Sequence, residues 1–172
     1  MRNLGQCATM FLPTAYIGKE RKSFKGRECM TWDEVRDARR AGMHFGSHTV
    51  NHPKLVTLGW TDIEAELRDS KAAIETELAE KIVTFAYPYA FPQTNGEFSA
   101  GFRQRLEQNG YQFCVTTEVG CVRRGDDALR WKRLPANSCD DIELLEAKLK
   151  GAYDWLAWPQ RAVKLVKSSL RQ

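Results

Sequence analysis

Short apolar runs alternate with capped amphipathic stretches along most of this chain. Cys7 to Leu12 reads as a buried strand stopped by Pro13. Thr31-Trp32-Asp33-Glu34 has the spacing of a capping box, and the helix it starts runs to about Ala41 and stops at Gly42. Met43 to Ser47 is a second short strand. Thr61-Asp62-Ile63-Glu64 repeats the capping-box spacing, opening a helix to about Ala79 with Ile63, Leu67, Ala73, Ile74 and Leu78 on one face. Ile82 to Tyr87 is a strand cut off by Pro88. A helix follows from about Phe98 to Gln108, then a strand from Tyr111 to Thr116 and a weak strand from Arg130 to Leu134. Asp141 to Lys150 and the stretch after Pro159 read as the last two helices.

Strands that alternate with helices imply parallel βαβ units, hence an α/β fold. The length of 172 residues suits one domain, and 42% apolar with 28% charged residues is an ordinary globular balance. A net charge of +4 without a Lys/Arg run does not indicate a nucleic-acid binder. No apolar run approaches the roughly 20 residues of a membrane span. The five cysteines, Cys7, Cys29, Cys114, Cys121 and Cys139, are odd in number, scattered and without CxxC spacing. They predict buried free thiols rather than a disulfide framework or a cysteine zinc site. With a poor signal peptide at the start, they set the expectation of a cytoplasmic protein.

The strongest chemical feature is Gly46-Ser47-His48-Thr49-Val50-Asn51-His52-Pro53, placed directly after a predicted strand. In α/β barrels ligands and catalysis lie at that C-terminal end. Residues four apart face the same way on one helical turn, so His48 and His52 could offer two imidazoles to one divalent metal. The spacing alone also fits two hydrogen-bonded or solvent-facing histidines on a loop. His44, one alternation earlier, reads as a core or surface histidine.

The residues around this pair resemble the NodB homology domain of polysaccharide deacetylases, carbohydrate esterase family 4. Gly46 to Pro53 is similar to the family's His-xxx-His motif. Ala8-Thr9-Met10-Phe11-Leu12-Pro13-Thr14 is similar to its Ala-Thr-Phe-Phe-Val/Leu-Pro strand. Phe85-Ala86-Tyr87-Pro88-Tyr89-Ala90 resembles its Pro-Tyr-Gly segment, and Tyr111 to Gly120 a later strand. The likeness runs to about residue 155.

The resemblance implies an irregular (β/α) barrel of the NodB deacetylase type over residues 1–158, with residues 159–172 as a basic amphipathic C-terminal helix. It implies a hydrolase that removes N-acetyl groups from a carbohydrate, with a divalent metal, commonly zinc, as Lewis acid. His48 and His52 would be metal ligands, and the Tyr89 backbone N–H would help hold the oxyanion. Packing beside Pro88 is the plain alternative for Tyr89.

Several family features are not matched. The Thr-Phe-Asp-Asp-Gly motif, source of the base Asp and the third metal ligand, has no counterpart ahead of Ala8, so the barrel is expected to be N-terminally incomplete. The late Leu-x-His is absent, since His44, His48 and His52 are the only histidines. The third motif often carries an Arg, where this chain reads Phe85-Ala86-Tyr87, and Ala90 replaces Gly. The fourth motif has no match, and Asp126 and Asp127 read as turn residues. These departures leave open a non-catalytic relict or carbohydrate-binding module of the same fold. Trp155 and Trp158 could stack on sugars, although core packing is the plainer expectation. Arg161, Lys164, Lys167 and Arg171 lie opposite Val163, Val166 and Leu170, a solvated face covering a barrel edge or a membrane-surface helix.

Overall fold

The computed structural model describes residue 5 and residues 7–169, with side chains to residue 166. Five parallel strands form one sheet in the order β1 (Thr9–Leu12), β4 (His44–Ser47), β5 (Thr84–Ala86), β6 (Phe113–Val119) and β7 (Trp131–Arg133). Among the described residues β1 and β7 are its two edges. Strands β2 (Ser23–Phe24) and β3 (Arg27–Glu28) form a separate antiparallel hairpin. The helices α1 (Trp32–Arg40), α2 (Trp60–Leu78), α3 (Gly96–Gln108), α4 (Ile142–Leu149) and α5 (Ala157–Ser169) complete the chain.

Each strand is short, as the apolar runs predict, and the register is in phase. Leu12 lies beside Ser47, Ser47 beside Phe85, and Phe85 beside Cys114. Phe45, Phe85 and Cys114 are buried in the sheet, which fits strands covered by helices. Gly46 is required by this packing. A Cβ there would meet Phe11 Cε1 at 2.6 Å and clash with Thr84 Oγ1.

The first capping box forms as predicted. Thr31 Oγ1 accepts from the Glu34 N–H at 3.3 Å, and Glu34 Oε2 accepts from the Thr31 N–H at 2.8 Å. Such a cap contributes about 1 kcal/mol. The second does not form. Helix α2 starts at Trp60, with Gly59 as N-cap and no side-chain cap. The reason is tertiary: the Trp60 ring stacks on Phe98 at 5.3 Å and carries Arg105 over it at 4.0 Å, which draws the first turn back by two residues. From there Ile63, Leu67 and Ile74 reach the core. Phe98, Phe102 and Leu106, four residues apart, do the same for α3.

Other expectations are corrected. Among the cysteines only Cys114 is buried; all are free, and Cys7 and Cys139 are exposed. Trp155 and Trp158 are 64% and 81% exposed rather than packed in the core. Helix α5 begins before Pro159, which sits in its first turn, where proline is tolerated. Its expected polarity is also altered. Val163 and Val166 are exposed, while Lys164 turns inward and donates to the Phe91 carbonyl at 2.7 Å. The amide of Gln160 donates to Thr117 O and accepts from the Val119 N–H, which fastens α5 to β6. Leu170 and Arg171, and the side chain of Lys167, lie outside the described residues.

Candidate active site

The chain leaves β4 at Ser47 and turns at once into the segment carrying both histidines. The His48 N–H still donates to Leu12 O, so His48 sits flush with the C-terminal ends of β1 and β4. The segment is a loop and not the helical turn that the spacing suggests. Thr49 and His52 adopt left-handed backbone, with φ of 69° and 54°, which L-residues enter at a cost. The loop is held from three sides. Thr49 Oγ1 accepts from the His52 N–H at 2.9 Å. Thr49 O and Val50 O accept from the N–H groups of Thr14 and Ala15, just past β1. The buried Glu66 carboxylate on α2 accepts from the Val50 N–H at 2.7 Å, the Asn51 N–H at 3.0 Å and Asn51 Nδ2 at 2.7 Å.

This bracing brings the two imidazoles to a centroid separation of 4.7 Å. His48 Nδ1 lies 2.6 Å from the carbonyl oxygen of Ala86, at the end of β5. A carbonyl can only accept, so Nδ1 carries the proton and the Nε2 lone pair is free. Burial lowers the His48 pKa to about 4 despite that bond, and His52, Arg133 and Lys25 push the same way. His52 is also lowered, by burial first and by Lys25 second. Both rings are therefore neutral at pH 7, the form that ligates metals. His52 Nδ1 is buried without a hydrogen-bond partner among the described residues. A committed Nδ1 on one ring and an uncommitted buried nitrogen on the other suit two ligands of a divalent cation. No third His, Cys, Asp or Glu among the described residues joins them to make a three-ligand group.

Tyr89 lies beside the pair. Its ring is 4.7 Å from that of His52, and its backbone is left-handed with φ 57°. Its N–H has no hydrogen-bond partner among the described residues, so the donor is available. The next stretch is fixed by Thr117 Oγ1, which accepts from the Phe91 N–H at 2.7 Å. Arg133, at the end of β7, is half-buried and donates through Nε to Thr116 O; burial lowers its pKa.

The remaining candidates stand apart. His44 is exposed at the N-terminal end of β4, the opposite end of the strand from His48. Asp127 caps the short 3-10 turn before β7 and pairs with Arg103, and Asp126 accepts from the Arg123 N–H. Both do turn chemistry.

Three contributors escape a reading by pattern. Lys25 enters through the hairpin, whose Lys25-Gly26 turn, with φ of 52° and 75°, is a two-residue hairpin signal. Glu66 could have been noticed, because it shares the core-facing stripe of Ile63, Leu67, Ser70 and Ile74, where a carboxylate needs a partner. Arg133 gives no local signal.

The chain matches the polysaccharide deacetylase family over residues 1–114. It is 27% identical over 124 residues to the Bacillus subtilis (strain 168) protein YxkH, which carries a polysaccharide deacetylase designation; the match covers 72% of this chain and 40% of that protein. Among solved structures it is similar to the Streptococcus pyogenes deacetylase PplD, with 22% identity and a TM-score of 0.71 over 86% of this chain and 61% of that one. It is also similar to IcaB from Ammonifex degensii, with 18% identity and a TM-score of 0.70 over 87% and 64%. The chain thus spans less than two thirds of each of these relatives. At those identities the structures speak for the barrel-like fold, while the match over residues 1–114 places the chain in the polysaccharide deacetylase family.

Proposed function

We propose that this chain carries part of the catalytic site of a metal-dependent hydrolase that removes N-acetyl groups from a carbohydrate. The observation that carries the reading is the pair of neutral imidazoles at the sheet's C-terminal end, 4.7 Å apart, with His48 oriented by Ala86 and an uncommitted nitrogen on His52. His48 and His52 would hold a divalent cation, zinc foremost, which when bound supplies Lewis acidity toward an amide carbonyl and acidifies water.

The chain's own part in the chemistry is to bind and orient. Glu66 and Thr49 hold the His loop in its left-handed geometry, so the imidazoles need little rearrangement. The free N–H of Tyr89 points to a role as donor to the oxyanion that forms when an amide carbonyl is attacked. The base that accepts the proton of the attacking water, and a third ligand for the cation, would be carboxylates outside the described residues. Residues 1–158 would form the deacetylase unit, with residues 159–172 a helix laid along its edge; the Gln160 and Lys164 contacts support that placement.

A second reading, a non-catalytic carbohydrate-binding relict of the same fold, is favoured by one observation: no acidic group among the described residues completes the His pair. Acetate release from N-acetylglucosamine oligomers, with and without a chelator, separates the two. The 172-residue chain alone is expected to release negligible acetate. A form carrying an added Asp-Asp-Gly βα unit ahead of Ala8 is expected to release it in a chelator-sensitive manner. Absence of activity in that form, despite tight zinc binding, would favour the relict.

A further inference from the structure

The approach to the His pair is basic, and its charges are unbalanced. Strand β2 brings the Phe24 ring edge-on to His52 at 5.1 Å, and the turn behind it places Lys25 at the hairpin tip. Lys25 Nζ lies 4.7 Å from the centroid of the Tyr89 ring and 5.1 Å from that of Phe24. Lys54, two residues after His52, brings a second ammonium to 5.9 Å from the same Tyr89 centroid. Tyr89 is 41% exposed, so one accessible ring carries two cations.

Neither ammonium has a carboxylate partner among the described residues. Elsewhere on this surface pairing is common: Arg36 meets Asp33 and Glu77, Arg39 meets Glu80, and Arg130 meets Glu118. Cation–π contacts with an exposed ring are a small gain for the fold. Against that gain stands repulsion between like charges that converge on one ring. The arrangement is thus poor for stability and good for an incoming anion, which would be drawn by both amines toward the imidazole pair.

We propose that Lys25 and Lys54, set about the Tyr89 ring, form a subsite for an anionic substituent, a carboxylate or a phosphate, on the N-acetylated carbohydrate. This rests on the deacetylase reading and narrows its substrate class from neutral N-acetyl sugars to acidic ones. The Tyr89 ring supplies an apolar face for a sugar, and the two flexible amines supply charge without a fixed fork. Carboxylate and phosphate are both within their reach.

The test is ligand titration by NMR on the full chain with three monosaccharides: N-acetylglucosamine, N-acetylmuramic acid and N-acetylglucosamine 6-phosphate. At low salt at least one acidic sugar should bind about fivefold tighter than the neutral one, the scale of one or two exposed ion pairs. Which acidic sugar gains more distinguishes the carboxylate from the phosphate. The advantage should fall to within about twofold in the Lys25→Met/Lys54→Met variant and in high salt. Methionine keeps an apolar stem on the rings, and an unchanged Tm verifies the fold. Lys150→Met, on the far end of α4, should keep the preference. Equal binding of neutral and acidic sugars would overturn the subsite while leaving the deacetylase reading intact. A preference that survives the double variant would overturn the assignment to these two lysines. No binding of any of the three would count against both.

Discussion

His48 Nδ1 donates to the carbonyl oxygen of Ala86 across 2.6 Å, so the end of β5 fixes the tautomer of a ring carried by the end of β4. With Nδ1 occupied, only Nε2 of His48 can act as a ligand. Two imidazoles without a third charged ligand make a weak site. Calorimetry on the chain is therefore expected to show weak zinc binding, and His48→Ala or His52→Ala to abolish what there is. Tight binding that survives either substitution would mean that other groups hold the metal.

Glu66 is expected to matter for the same site from a distance. Its carboxylate takes three hydrogen bonds from the His loop, two of them from backbone N–H groups. Glu66→Ala should cost about 1.5–3 kcal/mol, the scale of hydrogen bonds to a charged group. It should also weaken cobalt binding in the fraction that remains folded, read from the visible absorption of the bound ion. Ser70→Ala, which breaks the buried Ser47–Ser70 bond on the same helix, is the comparison. That variant should lower Tm and leave the cobalt spectrum unchanged. Equal spectral effects in both would reduce Glu66 to a structural residue.

At Gly46 the constraint is steric, not conformational. The absent Cβ is what allows Phe11 of β1 and Thr84 of β5 to close on β4. Gly46→Ala should cost about 1–3 kcal/mol in urea unfolding, as overpacking of a filled core does. Phe11→Leu should recover part of it by clearing one of the two clashes. No recovery would place the strain at Thr84 alone.

Much of the fold was legible because local and tertiary preferences agree. The Thr31 box, Gly42, Pro88 and the four-residue spacing of Phe98, Phe102 and Leu106 each mark a boundary or a face that the structure uses. Where they conflict, tertiary contact prevails: Trp60 stacking overrides the Thr61 box, and Lys164 finds carbonyl partners that turn a solvent-facing cation inward. At the site, the His pair is visible from spacing and from family resemblance. The wrong part of the expectation was its helical turn, since the left-handed φ values of Thr49 and His52 come from Glu66 and the β1 end, which lie 14 or more residues away from His52. Lys54 comes with the His segment itself, whereas Lys25 arrives on the β2–β3 hairpin and Arg133 at the end of β7, placed by topology.

Asp140 and Lys148 give a pH dependence whose sign is fixed by geometry. The carboxylate and the ammonium meet at 2.6 Å with both side chains almost fully covered, and Lys148 also donates to Pro135 O at 3.0 Å. The Lys148 hydrogen bond, followed by the Asn137 N–H, holds the Asp140 pKa below its ordinary 3.8. A carboxyl with a depressed folded pKa binds its proton more readily in the unfolded chain. Its stabilisation is thus fully present above the ordinary carboxylate range and is lost as pH falls through the lowered value. Unfolding followed from pH 6 to pH 2 should show an acid-sensitive component that disappears in Asp140→Asn. That variant should be destabilised even at pH 6, because it leaves the buried Lys148 ammonium without its counter-charge. Replacing both partners, as Asp140→Leu/Lys148→Met, removes the stranded charge along with the pair and should restore most of the neutral-pH stability while keeping the flat acid profile. A double variant as unstable as Asp140→Asn at pH 6 would mean that the Lys148 bond to Pro135, and not the ion pair, anchors α4 to the loop ahead of it.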